Sequence, residues 1–244
     1  ENCKKVLVVR NIYINFAPKN YDNMAEYKKR ISDRILKRKV QGKGAVLIEG
    51  PKWCGKTTTA KQLAKSVLDL GNSTVLMQSR QMIEISHKAL LDGDTPRLID
   101  EWQALPPIWD SIRSEVDSRG EPSQFILTGS SVLPGANTLI HSGTGRFGHI
   151  RMRPMSLFES GESNGKVSLL DLFENRPFEL QRNELTINDI AFLTCRGGWP
   201  WATLISKDLA LDQAFDYVDS VVNSDILRVD KVRRSPERTK LLLR

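Results

Sequence analysis

Cysteine and histidine are scarce in this sequence. The 244 residues include three cysteines, an odd number, which lie far apart along the chain and so argue against a disulfide framework. Their scarcity favours a reducing, cytoplasmic compartment. The three histidines form no zinc-binding spacing with them. The residues concerned are Cys3, Cys54, Cys195, His87, His141 and His149.

Long hydrophobic runs are missing too. No apolar run approaches the ~20 residues of a membrane-spanning helix, and the apolar block at residues 6–9 is too short for the core of a signal peptide. Hydrophobic residues make up 40% of the chain and charged residues 27%, which argues against a disordered chain. We expect a globular protein of one large domain, or of one domain and a smaller second one, without membrane contact.

Charge is unevenly distributed around a net value of +7. Residues 1–43 contain 12 Lys and Arg against four Asp and Glu, a balance of +8, and residues 228–244 carry +5. The part between them carries −6. Basic ends of this kind are typical of solvated helix faces; the alternative is that they bind nucleic acid phosphates without sequence preference.

Short apolar runs that alternate with helical periodicity predict an α/β fold with a parallel sheet. The predicted strands cover residues 45–48, 74–77, 97–99, 125–127 and 148–153. The predicted helices among them cover residues 22–40, 58–70, 80–91 and 106–118. Two longer helical stretches, 168–195 and 203–227, predict a smaller, mostly helical region after the sheet.

The segment between the first predicted strand and the next helix has the sequence of a phosphate-binding loop. Residues 50–57 read GPKWCGKT and match G-x-x-x-x-G-K-[ST] at every required position. Backbone N–H groups of such a loop surround phosphate oxygens, the lysine reaches the β- and γ-phosphates, and the final hydroxyl binds Mg²⁺. The predicted nucleotide-binding residues are Gly50, Pro51, Lys52, Trp53, Cys54, Gly55, Lys56, Thr57 and Thr58.

Two acidic residues follow the third predicted strand. Asp100 is expected to hold the Mg²⁺ shell together with Thr57, as an acidic residue after a neighbouring strand does in P-loop NTPases. Glu101 is expected to polarise the attacking water. A carboxylate at this position favours a hydrolase over a P-loop kinase, whose acceptor is a bound substrate group.

Three further residues are predicted to act beside Lys56 and Glu101 in catalysis. Thr128 and Ser130 end the fourth predicted strand, which is expected to lie between the other two, so that a hydroxyl there would face the γ-phosphate and the water. Arg146 lies in the glycine-rich segment 143–148 and is a candidate arginine finger, in its own subunit or in a neighbouring one of a homo-oligomer. The alternatives are a plain turn after the strand and a loop arginine paired with a surface carboxylate.

Two other features of the sequence have a functional and a structural interpretation. Cys54 lies in the phosphate loop, where a helix N-terminus would lower its thiol pKa and suit a redox role; an inert side chain is the favoured interpretation. Trp199 and Trp201 flank Pro200 and could stack on bases, but packing of a turn against the helical region is favoured.

Taken together, these residues resemble a prokaryotic AAA+-type ATPase family, whose members carry an N-terminal P-loop domain and a C-terminal domain of unknown function. The motifs that carry the resemblance are YKKRI at 27–31, GAVLIEGPK at 44–52, IDEWQ at 99–103, LTGSS at 127–131, GR at 145–146, RPMSLFE at 153–159 and GGWP at 197–200. The set is specific as a whole.

The resemblance implies a P-loop NTPase three-layer α/β sandwich with ATP and Mg²⁺ as ligands. It divides the chain into an extension, 1–23, an ATPase core, 24–155, and a mostly helical or winged-helix-like region, 156–244. Family members continue into a nuclease-like segment; because this sequence stops inside an apolar stretch, we expect that segment to be missing.

Three functions are compatible with this sequence. The first is an Mg²⁺-dependent ATPase that acts as a molecular switch. The second is a P-loop kinase or another phosphotransferase that acts on a small molecule, which Glu101 disfavours. The third is a nucleic-acid-binding module in which ATP is structural, which the basic ends favour.

Overall fold

A five-stranded parallel sheet forms the centre of the molecule. The computed structural model describes residues 27–130, 143–179, 182–225 and 235–242. The strands are β1 Ala45–Gly50, β2 Ser66–Asp69, β3 Arg97–Asp100, β4 Phe125–Ser130 and β5 Phe147–Arg151. They lie in the order β2-β3-β4-β1-β5, and every neighbouring pair is parallel. The predicted position of β4 between β1 and β3 is therefore confirmed.

Helices connect the strands and follow them. Those before β5 are α1 Ile31–Gly42, α2 Lys56–Lys61, α3 Ser73–Ile85, α4 His87–Leu91 and α5 Ile108–Arg119, with a 3₁₀ turn at Trp102–Ala104. Those after β5 are α6 Leu157–Ser160, α7 Leu169–Phe173, α8 Ile187–Arg196, α9 Lys207–Ser220 and α10 Pro236–Leu242. A 3₁₀ turn at Trp201–Thr203 precedes α9, and a π-helical turn, Val221–Asp225, follows it. Among the described residues, no helix is long and apolar enough to cross a membrane.

Alternate residues of each strand point to opposite faces of the sheet, and both faces are covered. On one face, Ala45 and Leu47 of β1 pack in a buried cluster with residues of α4 and α5. On the other face, Val46 and Ile48 pack with Leu36 of α1 and with residues of α2. Because neither face of these strands meets water, they read as continuous apolar runs in the sequence. The predicted three-layer α/β sandwich is confirmed.

The second strand and its neighbours were predicted wrongly. α2 ends at Lys61 instead of continuing to Leu70, and the second strand is Ser66–Asp69. Residues 74–77, predicted as that strand, form the first part of α3. The side-chain oxygen of Asn72 accepts hydrogen bonds from the N–H groups of Thr74 and Val75, at 3.0 and 3.2 Å, and so caps this helix. A short apolar run is compatible with either a helix or a strand, and the capping residue before it decides which one forms.

The first helix begins later than predicted within the described residues. Residues 27–30 are extended, and α1 starts at Ile31; residues 22–26 of the predicted helix lie outside the described ranges. Arg30 has extended backbone dihedral angles, and its N–H donates to Asp33 Oδ2 at 2.8 Å. This capping interaction starts the helix at the next residue. The single helix predicted over 80–91 is divided by Ser86, whose hydroxyl caps α4 through the N–H of Ala89 at 3.2 Å.

The helical stretches predicted after the sheet are shorter in the structure. The range 168–195 contains α7 and most of α8, with irregular backbone at residues 176–179 and 182–186. The range 203–227 contains α9 and the π-helical turn, and its last residues lie outside the described ranges. The helical nature of the region is confirmed in part by α7, α8 and α9. Thr186 caps α8, because its hydroxyl oxygen accepts a hydrogen bond from the N–H of Asp189 at 3.2 Å.

Candidate functional site

The predicted phosphate loop connects the carboxyl end of β1 to α2. Two of its residues have left-handed backbone conformations, Trp53 with φ 64° and Gly55 with φ 99°. A Cβ on Gly50 would lie 2.3 Å from the carbonyl oxygen of Met152, so only glycine fits where β1 leaves the sheet. The loop is therefore a tight concave turn, with an exposed Trp53 side chain on its outer surface.

The Lys56 side chain bends back over this loop. It is buried, and its Nζ donates hydrogen bonds to the carbonyl oxygens of Gly50, at 3.0 Å, and Pro51, at 2.9 Å. Burying an ammonium group costs free energy unless it has partners. Two carbonyls of the loop satisfy it here, and they hold a positive charge where the motif places phosphate oxygens.

Asp100 is the point at which three elements of the site meet. It ends β3 and is buried, with 8% of its surface exposed. Thr57, the second residue of α2, donates from Oγ1 to Asp100 Oδ1 at 2.8 Å. Thr128 of β4, fully buried, donates its hydroxyl hydrogen to the same oxygen. The pairing of Thr57 with Asp100 brings together the two residues predicted to bind the metal.

The donor set at Thr57 and Asp100 fits Mg²⁺. A hydroxyl and a carboxylate are hard oxygen ligands, and Mg²⁺ is usually held by one or two carboxylates while waters and phosphates complete its shell. No group of three or more His, Cys, Asp or Glu that could hold a metal ion occurs among the described residues.

The buried hydroxyl of Thr128 donates to the Asp100 carboxylate, a contact that can hold this side chain in place. Its predicted role beside the γ-phosphate stays a prediction. Ser130 is the last residue of β4, and its backbone is in register with Gly50, so it lies at the same edge of the sheet as the phosphate loop.

Glu101 has an unusual conformation for its residue type. Its φ of 54° and ψ of 44° lie in the left-handed region, which is unfavourable for residues with a Cβ. Its carboxylate accepts a hydrogen bond from the Gln103 side-chain amide. A strained residue that directly follows Asp100, the predicted metal ligand, is an observation that points to function. Gln103, to which the sequence assigned no role, is the residue that orients this carboxylate.

A small residue at position 129 makes this arrangement of Glu101 possible. A Cβ on Gly129 would lie 2.6 Å from Gln103 Oε1 and 2.9 Å from Trp102 Nε1. The side chains that follow Glu101 thus pack directly onto β4. The sequence signal for Gln103 was its place in IDEWQ, which does not by itself show what the amide contacts.

Arg146 lies at the amino ends of the strands, whereas the phosphate loop lies at their carboxyl ends. It precedes β5, whose first residue, Phe147, is in register with Ala45 at the start of β1. The phosphate loop begins at the far end of β1, roughly 16 Å away at the rise of a strand. The Arg146 guanidinium pairs with Asp117, Nε to Oδ1 at 2.5 Å. Within this chain the guanidinium thus forms the alternative contact, a surface ion pair. The role of an arginine finger stays a prediction.

Cys54 is buried within the phosphate loop. Burial raises the pKa of its thiol, although the charges of Lys56 and Arg30 oppose this shift. A protonated thiol without solvent access is a poor nucleophile. The inert role favoured from the sequence fits this environment, and the redox role does not.

A known protein family matches the part of the chain that contains the site. Residues 42–160, just under half of the chain, match the model of a family described as AAA domain. This span includes all five strands, the phosphate loop and Asp100. The sequence matches none of the curated proteins with which it was compared.

Several solved structures are similar in fold. One is the Walker-type ATPase PABY2304 of Pyrococcus abyssi, with 15% identity and a TM-score of 0.48 over 82% of this chain and 75% of that one. Another is the FIGL-1 AAA domain in complex with ADP, with 13% identity and a TM-score of 0.39 over 86% and 90%. A third is C. elegans PCH-2, with 19% identity and a TM-score of 0.34 over 81% and 58%.

The family match agrees with the geometry of the site. The narrower family that the sequence resembles, with its prokaryotic members and its C-terminal domain, stays a prediction. Over residues 42–160 the chain is similar to AAA domains, and it has the α/β sandwich of P-loop NTPases around its phosphate loop.

Proposed function

We propose that this chain binds ATP together with Mg²⁺, hydrolyses it, and acts as a molecular switch. The observation that carries the proposal is the meeting of Thr57 and Thr128 on one buried carboxylate, Asp100, beside a loop that folds Lys56 over its own carbonyls. In the proposed division, the ATPase core covers residues 24–155, and residues 156–244 form the part that responds to it.

Each residue of the site has a proposed role. Lys56 binds the β- and γ-phosphates, and Thr57 and Asp100 hold the metal, whose bound form would neutralise phosphate charge. Glu101 orients and polarises the attacking water, with Gln103 fixing its carboxylate. Thr128 keeps Asp100 in place. Gly50 to Thr58 surround the phosphates with backbone N–H groups.

Nucleotide binding should depend on these side chains in a defined order. Lys56→Ala removes a charge-assisted contact to phosphate, so ATP affinity measured by calorimetry should fall about tenfold or more. Asp100→Asn should weaken binding in Mg²⁺ and leave binding in excess EDTA unchanged. Lys61→Ala, an exposed lysine at the end of α2, is the matched control. Unchanged ATP affinity in Lys56→Ala would contradict the proposal.

Contacts between the two parts of the chain support the switch. A Cβ on Gly55 would lie 3.5 Å from Cγ of Pro200, which belongs to the GGWP turn, and Trp199 packs against the buried cluster around α1 and α2. Trp199 also packs on Tyr217 of α9, with ring centroids 4.1 Å apart. Movement of the phosphate loop on nucleotide binding would therefore press on the helical region.

A second candidate function is nucleic acid binding with structural ATP. Four basic residues of segment 29–38 are exposed, namely Lys29, Arg34, Lys37 and Arg38. The one acidic residue of this segment, Asp33, accepts a hydrogen bond from the hydroxyl of Tyr27. If these residues bind phosphates, affinity for DNA or RNA should fall steeply with salt, and Lys37→Glu with Arg38→Glu should reduce the slope. Flat salt dependence would leave them as a solvated helix face.

One assay separates the three interpretations. ATP turnover by the purified chain is measured alone, with DNA or RNA, and with candidate small-molecule acceptors. Unchanged hydrolysis supports the switch, stimulation by nucleic acid supports the second candidate, and ADP formed only with an acceptor supports a phosphotransferase. Glu101 counts against the last, because a transferase must keep water from its γ-phosphate.

A further inference from the structure

One buried arginine outside the predicted site touches the phosphate loop. The side chain of Arg30, 4% exposed, lies between the loop and the segment that follows β5. Its Nη1 donates to the carbonyl oxygen of Cys54 at 2.8 Å and its Nη2 to that of Arg153 at 2.8 Å. Its Nε pairs with Glu159 Oε1 at 3.0 Å. All three nitrogens of this guanidinium are thus used, each on a different part of the chain.

Both charged groups of the Arg30–Glu159 ion pair have further hydrogen-bond partners. Glu159 is 7% exposed. Its Oε1 also accepts from the N–H of Ile31 at 2.8 Å, and its Oε2 accepts from the N–H and hydroxyl of Ser156 at 2.8 and 3.0 Å. A buried ion pair seldom adds stability over an apolar pair of the same size. A pair with this many partners therefore calls for a role besides stability.

The contact with Cys54 fixes the orientation of one peptide group in the phosphate loop. The carbonyl of Cys54 and the N–H of Gly55 belong to the same trans peptide and point in opposite directions. Holding the carbonyl on Arg30 turns the Gly55 N–H away from Arg30. This peptide joins Cys54 to Gly55, next to the two left-handed residues of the loop, Trp53 and Gly55.

The other contacts of Arg30 lead to the helical region. Glu159 lies in α6, and Arg153 and Met155 lie just before it. The N–H of Met155 donates to the carbonyl of Gly198 at 2.6 Å, in the GGWP turn. Lys28, two residues before Arg30, donates to the carbonyls of Ser160 at 3.0 Å and Thr203 at 3.4 Å.

We propose that Arg30 is a positioning residue for nucleotide binding, which orients the Cys54–Gly55 peptide of the phosphate loop and joins its movement to the segment 153–160. The inference rests on the proposed function, because it assumes that the loop binds ATP. It assigns Arg30 no contact with nucleotide. Its effect is exerted through the carbonyl of Cys54, and Glu159 holds the guanidinium in the required plane.

Arg30→Lys tests this role, because lysine keeps the charge next to Glu159 but cannot form the planar, three-way contact. ATP affinity should fall about tenfold, the loss expected when a hydrogen bond from a charged donor disappears. Arg80→Lys, the same substitution at an exposed position of α3, is the matched control and should bind ATP as the parent does. Lys56→Ala provides the reference for loss of binding.

Hydrogen exchange gives a readout that a merely structural role would not change. In the parent, adding ATP should alter exchange in peptides covering residues 197–204, and in Arg30→Lys this response should be lost even at saturating ATP. If Arg30→Lys does not fold, Glu159→Gln replaces it, since it keeps both carbonyl contacts and removes the charge that orients them; weaker ATP binding is expected again.

The results separate this inference from the proposed function. Weak binding in Lys56→Ala with parent-like affinity and exchange response in Arg30→Lys, or in Glu159→Gln where Arg30→Lys does not fold, would overturn the role of Arg30 and leave the ATPase intact. Unchanged binding in Lys56→Ala would instead remove the proposed function itself. Loss of affinity and of the exchange response in Arg30→Lys, with Arg80→Lys normal, supports the inference.

Discussion

The sheet and the helical region bury their apolar residues very differently. In the sheet, Leu98, Ile99, Ile126 and Leu127 have no exposed surface. Among the described residues after Ser160, the buried apolar ones are small or few, namely Ala202, Ala210 and Val222. Large apolar side chains there are exposed: Leu169 by 68%, Phe173 by 79%, Ile187 by 85% and Phe215 by 72%.

This difference shows that the two parts are held by different interactions. The sheet is stabilised by apolar surface removed from water on both of its faces. Besides the packing of Trp199, the helical region is held to it by polar and backbone contacts that converge on segments 28–30, 153–160 and 197–203. Such contacts are directional, which is compatible with the proposed switch.

The largest effect is expected when an isoleucine is shortened inside the sheet. Ile126→Ala should lower the free energy of unfolding by about 2–5 kcal/mol, because it leaves a cavity in a packed cluster. The same substitution at Ile187, which is 85% exposed, should change it by less than about 0.5 kcal/mol. Denaturant unfolding measures both. Equal losses of unfolding free energy would mean that the Ile187 side chain is buried, and would contradict its exposed position.

A smaller effect is expected at the turn that joins the two parts. A Cβ on Gly198 would lie 2.0 Å from the carbonyl oxygen of Met155, a backbone atom that cannot move aside cheaply. Gly198→Ala should therefore lower the free energy of unfolding by about 1–3 kcal/mol. Gly42→Ala, at the end of α1 with nothing within 4 Å, should raise it slightly. A harmless Gly198→Ala would show that this contact is not needed.

The sequence predicted the sheet and the core of the site because both depend on local patterns. Buried parallel strands are continuous apolar runs, and the spacing of Gly50, Gly55, Lys56 and Thr57 is set by the phosphates that the loop surrounds. The second strand was misplaced because Asn72, a helix cap, was not recognised. A short apolar run is ambiguous until its capping residue is read.

Other parts of the site could not be predicted because they depend on distant contacts. Arg30 reads as one more charge in a basic helix, and its three partners are 24 to 129 residues away in sequence. The position of Arg146 could not be predicted either. A glycine-rich loop with an arginine resembles a catalytic loop, but only the register of β5 shows which edge of the sheet it lies on.

Low pH should weaken the contact between the sheet and the helical region. Burial alone would raise the pKa of Glu159, but hydrogen bonds from Ser156 and Ile31 and the Arg30 charge hold it below the ordinary 4.5. Its contribution to stability is therefore complete above pH 4.5 and is lost as pH falls below that value. Unfolding measured from pH 6 to 3 should show a smaller decline in Glu159→Gln than in the parent. Glu184→Gln, at an exposed position, should follow the parent; a parent-like decline in Glu159→Gln would contradict the assignment.

The smallest effect on nucleotide is expected at Arg146. Because it lies at the far edge of the sheet and pairs with Asp117, Arg146→Ala should leave ATP affinity of the isolated chain within about twofold, less than one hydrogen bond contributes. If the chain works as a homo-oligomer with Arg146 acting on a neighbour, turnover per chain should rise with protein concentration in the parent but not in Arg146→Ala. A large loss of affinity at low concentration would contradict the position assigned to Arg146.

The central claim, that this site hydrolyses ATP, is tested most directly at Glu101. Glu101→Gln keeps the size of the side chain and removes the carboxylate that would act on water, so ATP affinity should stay at the parent value. Turnover should fall by ~10²–10⁴, the usual contribution of a positioned general base, and ATP should remain bound to the protein. Hydrolysis at the parent rate by Glu101→Gln would contradict the account and favour a structural nucleotide or a transferase.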